Sequence, residues 1–72
     1  MTLQVPRSES FREMPPGTWW RSNVSVWFRC PNGHYGTLGD HTVADDGMVS
    51  PSVECALCPF HDTIQLSGWT PR

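Results

Sequence analysis

Two short stretches decide how this chain is read: Cys30-Pro31-Asn32-Gly33-His34 and Cys55-Ala56-Leu57-Cys58-Pro59. The first places a thiol and an imidazole four residues apart across a Pro-Asn-Gly turn. The second places two thiols three residues apart, with proline next. Zinc takes four nitrogen or sulfur donors in a tetrahedron, and two tight turns that each offer two donors supply such a set. The 20 residues between His34 and Cys55 leave room for a hairpin between the turns. The spacing therefore predicts one structural Zn2+ ion held by Cys30, His34, Cys55 and Cys58. His61 and His41 are the alternatives for the fourth donor, since each lies near one of the turns.

The need for such a staple follows from size. The chain has 72 residues, of which 38% are hydrophobic, with seven prolines and six glycines. A single core of this size leaves about 3–5 kcal/mol of net stability and usually requires a disulfide, a metal or an oligomer. Three cysteines cannot all pair within one chain. A set of three thiolates completed by a histidine resolves the odd count. Thiols kept as metal ligands also fit a reducing compartment, so a cytoplasmic location is expected. No stretch is long and apolar enough for a membrane helix, and Met1 to Arg12 lacks the apolar segment of a signal peptide.

The strand signals surround the two turns. Val24 to Arg29 alternates β-branched and aromatic residues and reads as a strand, with Val24, Val26 and Phe28 on one face and Ser25, Trp27 and Arg29 on the other. Tyr35 to Leu38 can pair back on it. His41 to Ala44 and Met48 to Ser50, joined by Asp45-Asp46-Gly47, read as a hairpin. Ser52 to Glu54 leads into Cys55, and Phe60 to Leu66 forms the last strand with Ile64 and Leu66 inward. Trp69 then folds back. No segment has a sustained helical period. The expectation is a small all-β, metal-stapled domain at 18–72, preceded by a flexible N-terminal tail at 1–17 that Pro15-Pro16-Gly17 closes. Phe11 and Met14 are the tail residues equipped to dock.

The paired turns resemble the knuckles of rubredoxin-like zinc ribbons, with His34 in place of one cysteine. The stretch from Asp40 to Cys55 is similar to small zinc-ribbon proteins of bacteriophage and prophage genomes. That resemblance, over about residues 24–69, implies a ribbon of about three antiparallel strands with two knuckles. Ribbons of this kind bind nucleic acids, bind proteins or brace larger machines. The resemblance implies a small regulator or adaptor, whose partner belongs to host or phage transcription or replication machinery.

Charge narrows the partner. All five basic residues are arginines. Four of them precede Cys30 against two acids, a net +2, whereas from residue 30 onward five acids face Arg72 alone, a net −4. The total of −2 argues against a general polyanion binder. Trp20, Arg21, Trp27 and Arg29 interleave rings and guanidinium groups. They are the candidate partner-binding residues, with Trp27 the ring expected to be exposed. A protein partner is preferred, since tryptophan and arginine are enriched at interface hot spots. Stacking of single-stranded bases on the same residues is the alternative. Either reading accommodates a monomer or a small homo-oligomer. No enzyme is expected: with all three cysteines used as ligands, no thiolate remains as a nucleophile. The Asp40-His41 pair lacks the downstream asparagine and basic residues of an HNH nuclease. Asp45-Asp46-Gly47 is ordinary turn chemistry.

Overall fold

A computed structural model describes residues 2–71; Met1, at the head of the expected tail, and Arg72, at the end of the expected domain, lie outside them. The described residues are all-β, without a helix. Eight short strands run in chain order: β1 (Thr2–Val5), β2 (Trp19–Arg21), β3 (Val26–Arg29), β4 (Tyr35–Thr37), β5 (Thr42–Val43), β6 (Val49–Ser50), β7 (Val53–Glu54) and β8 (His61–Leu66). They form three small sheets, ordered β1-β8-β7, β2-β3-β4 and β5-β6.

The sequence expectation of about three antiparallel strands is thus too simple. Most pairings are antiparallel, but β1 lies parallel to β8, with Thr2 opposite Thr63 and Val5 opposite Leu66. Residues of the expected tail take part in this sheet and in the core. Val5 is fully buried and Met14 nearly so. The segment is tied on both sides, because Ser67 N–H donates to Val5 C=O (2.9 Å), Trp19 N–H to Pro6 C=O (3.1 Å) and Ser8 N–H to Trp19 C=O (2.7 Å). The buried Ser8 hydroxyl donates to the Ser10 and Glu13 carbonyls, which closes the following turn. β8 needs a neighbour on the edge away from β7, and Leu3 and Val5 supply the apolar cover for it.

The core is formed by Val5, Trp19, Phe28, Val49, Val53, Ile64 and Leu66, with Leu38 and Cys30. Alternation along the strands explains it. Trp19 on β2 stands opposite Phe28 on β3 and both point inward, while Trp20 and Trp27, also opposite each other, point outward. The Trp19 indole N–H donates to Ser67 C=O at 2.9 Å, so the largest core residue leaves no polar atom unpaired. Trp69 folds back onto it, ring centroids 5.5 Å apart.

One strand boundary differs from the sequence reading. Val24 is 91% exposed rather than sharing the inner face with Val26 and Phe28. The Ser22 hydroxyl accepts from the N–H groups of Val24 and Ser25, and this serine turn ends the pairing of β2 and β3 before Val24. The β5–β6 hairpin turns at Gly47, whose φ is +90°. Gly47 C=O accepts from Leu66 N–H (2.8 Å), which presses the hairpin against β8.

Candidate metal centre

Each turn is closed by its own backbone. At the end of β3, Cys30 N–H donates to His34 C=O (2.9 Å) and Gly33 N–H to Cys30 C=O (2.8 Å). Gly33 takes φ +95°, a conformation costly to a residue with a Cβ. Arg29 Nε donates to Gly33 C=O at 3.0 Å and an Arg29 terminal nitrogen to Met14 C=O at 2.7 Å, so one side chain fixes the turn to the N-terminal segment. In the second turn, Cys55 N–H donates to Phe60 C=O (2.9 Å) across the start of the β7–β8 hairpin. Leu57 N–H points at Cys55 Sγ (3.4 Å), as in a metal knuckle.

The two turns meet. One donor atom from each of Cys30, His34, Cys55 and Cys58 lies within 4.8 Å of every other. Cys30 Sγ is 3.8 Å from Cys58 Sγ, and His34 Nδ1 is 3.6 Å from Cys30 Sγ and 3.5 Å from Cys55 Sγ. A tetrahedral ion with bonds of ~2.3 Å to sulfur and ~2.0–2.1 Å to nitrogen sets sulfur pairs about 3.8 Å apart and sulfur–nitrogen pairs about 3.5 Å apart. The donor set therefore fits one metal ion, with His34 offering Nδ1. Cys30 is buried and the other three are half-buried. No disulfide joins the cysteines.

His41 and His61 stand outside this group. His61 Nε2 pairs with the Ser52 hydroxyl at 2.8 Å, and His41 Nε2 is 3.4 Å from the Ser52 carbonyl. Asn32, which the sequence reading passed over, donates from its side-chain amide to Cys58 Sγ at 3.3 Å and so links the first turn to the second. That bond, aided by Phe60 N–H, pulls the Cys58 thiol down to about 6. Cys55 moves the other way. The Leu57 N–H lowers it, but burial together with the neighbouring Cys58 and Cys30 thiols outweighs that bond and pushes it up. A position between Cys30 and His34 was the available clue to Asn32.

The candidate partner-binding residues are divided. Trp20, Trp27 and Arg29 lie on the outer face of β2-β3-β4, where two further rings join them. Phe11 packs on Trp27 (centroids 5.0 Å), Tyr35 (5.6 Å) and Trp20 (5.8 Å), and Arg29 stacks on Tyr35 at 4.7 Å. Trp27, expected to be exposed, is half-covered by Phe11. Tyr35 was legible as the partner of Arg29 once the Cys30–His34 turn sets the register. Phe11 was expected to be able to dock, but nothing local pointed to these rings as its place. Arg21 alternates to the opposite face, stacks on Trp69 at 4.2 Å and donates to the Thr70 carbonyl at 2.8 Å.

The fold and site define a small all-β protein with a Cys3His cluster that could hold a metal ion. No protein-family model matches the chain, and no curated protein or solved structure shows a significant match to it.

Proposed function

We propose that the chain is a non-catalytic zinc-ribbon module, stapled by one structural Zn2+ on Cys30, His34, Cys55 and Cys58, that binds a protein partner through the aromatic face of β2-β3-β4. The spacing of the four donor atoms carries the metal reading. All four donors come from the protein, the composition of a closed structural site, so nothing reserves a position for substrate or water. Thiolate ligation suits a reducing, cytoplasmic setting. The zinc would hold the β3–β4 and β7–β8 hairpins together at the edge of the core that Cys30 joins.

Phe11, Trp20, Trp27 and Tyr35 form the surface. A protein partner is favoured over single-stranded nucleic acid because the guanidinium groups meant for phosphates are engaged at home. Arg29 serves Gly33 and Met14, and Arg21 serves Thr70 and Trp69. The chain total of −2 works in the same direction. A partner presenting apolar side chains to clustered rings fits better than a polyphosphate.

Native mass spectrometry should find one zinc per chain. A metal-free protein with undiminished stability would overturn the metal reading. For the surface, capture from a bacterial lysate should recover a partner that survives nuclease treatment and is lost with Trp27→Ala, while zinc and fold persist. Unfolding by Trp27→Ala would place the ring in the core instead. Tight, salt-sensitive binding of a random single-stranded oligonucleotide would favour the nucleic-acid alternative.

A further inference from the structure

A second surface lies on the other side of the first knuckle. β4 is the last strand of its sheet. Its ladder to β3 is bracketed by Cys30 N–H to His34 C=O and Leu38 N–H to Val26 C=O, both 2.9 Å. Residues of an antiparallel strand alternate in the direction of their backbone groups. Gly36 therefore faces β3 with His34 and Leu38, while Tyr35 and Thr37 aim their N–H and C=O groups away from the sheet. The devices that usually blunt an edge are charge, proline or a bulge, and the sequence Tyr35-Gly36-Thr37 has neither charge nor proline. All three residues are exposed, and Gly36 has open space where a side chain would be.

Beside this edge is a cleft of about 300 Å³ that runs from β4 to β7 and the second knuckle. Phe28, Leu38 and Val53 line it, with Leu57, 73% exposed, among its outer residues. Among the described residues, Glu54 is the one carboxylate that lines it, and no lysine or arginine does. His41 also lines it, and its Nδ1 is buried without a hydrogen-bond partner among the described residues. A free row of backbone groups next to an apolar pocket with an unused polar atom is the arrangement of a strand-addition site.

We propose that this cleft takes up an extended, basic peptide segment of a partner protein. The segment pairs its backbone with Tyr35 and Thr37 as a fourth strand of β2-β3-β4. One apolar side chain sits over Phe28, Leu38 and Val53, and a lysine or arginine beside it meets Glu54. The carboxylate selects a cationic segment over a second copy of this net-acidic chain. The site shares Tyr35 with the aromatic face but includes neither Trp20 nor Trp27, and it rests on the metal reading because Cys30, His34 and Cys55 are among its lining residues.

The test uses the full-length, zinc-loaded chain, labelled with 15N and titrated with an end-capped pentapeptide that alternates valine and lysine. Zinc content is measured first, so a missing metal counts against the ribbon reading and not against this one. With zinc present, the amide signals of Tyr35, Thr37 and Glu54 should shift, and those of the Trp20 and Trp27 indoles should not. Methylating the peptide nitrogens that face the edge should weaken binding about tenfold, since each loses a hydrogen bond. A valine–glutamate peptide should also bind at least tenfold more weakly. Thr37→Pro removes an outward donor without touching a ladder bond and should match the methylated peptide. Unmoved β4 signals, equal binding of the methylated peptide, or a sedimenting dimer that buries β4 and excludes the peptide would each overturn the proposal.

Discussion

The two ends of the molecule are held by different means. At one end Val5, Trp19, Val49, Ile64 and Leu66 pack together, and the parallel β1–β8 pairing closes over them. At the other, two turns meet through four polar or thiol side chains, and Ala56, Leu57 and Pro59 around them are exposed. The first end is stabilised by removing apolar surface from water, and the second gathers a Cys3His cluster that could hold a metal ion. β3 links the two, because Phe28 is in the core and Cys30, directly after the strand, is in both the core and the cluster. The two means of support are therefore expected to act as one cooperative unit rather than as two.

The largest effect should come from breaking the metal end. Chelation, or Cys30→Ser, is expected to abolish folding, because structural zinc contributes apparent binding energies of ~10–16 kcal/mol in small metal-folded peptides. Circular dichroism and zinc release followed against chelator should share one midpoint. If the tryptophan fluorescence of the core outlasts zinc release, the two ends are independent and the cooperative picture is wrong.

The core end should break by smaller steps. Trp19→Ala removes the largest buried side chain and should cost about 3–5 kcal/mol in urea unfolding of the zinc-loaded protein. Gly47→Ala comes next, at about 2–4 kcal/mol. Its φ of +90° strains any L-residue, and a Cβ there would run into the Leu66 carbonyl oxygen. A cost below 1 kcal/mol at Gly47 would mean that the hairpin slides off β8 at little penalty.

What was legible in the sequence divides along the same line. The Cys3His cluster could be read because the donors, prolines and glycine of each turn sit within a few residues of one another, and turn chemistry is local. The β5–β6 hairpin and the inward Ile64 and Leu66 were legible for the same reason, through Asp45-Asp46-Gly47 and period-two alternation. β1 was not. Its partner lies 61 residues on, the pairing is parallel, and a four-residue strand with two polar members carries little periodic signal. Phe11 was legible as a residue able to dock but its place was not, since only the folded course of residues 6–17 brings it to Trp20 and Trp27. Arg21 and Arg29 looked alike in sequence as basic neighbours of tryptophan. Strand alternation and the intervening turn separated them onto opposite faces.

Asn32→Ala tests how far the metal end depends on more than its four donors. Groups that hydrogen-bond to metal ligands typically change metal affinity 10–100-fold when lost. The Asn32 bond to Cys58 Sγ is solvent-exposed, so about tenfold, the low end of that range, is expected, read by competition with a zinc chelator. The donor set and fold should persist. An unchanged affinity would show that Asn32 only decorates the turn.

The smallest effect should fall at Val24, and it tests where the core end stops. A pattern reader would place Val24, Val26 and Phe28 on one buried face, and Val24→Ser would then cost well over 1 kcal/mol. With Val24 exposed and the Ser22 hydroxyl holding the turn, the change removes no packing and should stay within about 0.5 kcal/mol. Val26→Ser, three residues from the Arg29 end of the same strand, loses contact with the core and should cost more. Equal costs for the two would mean that β3 begins at Val24 and that the serine turn does not end the pairing of β2 with β3.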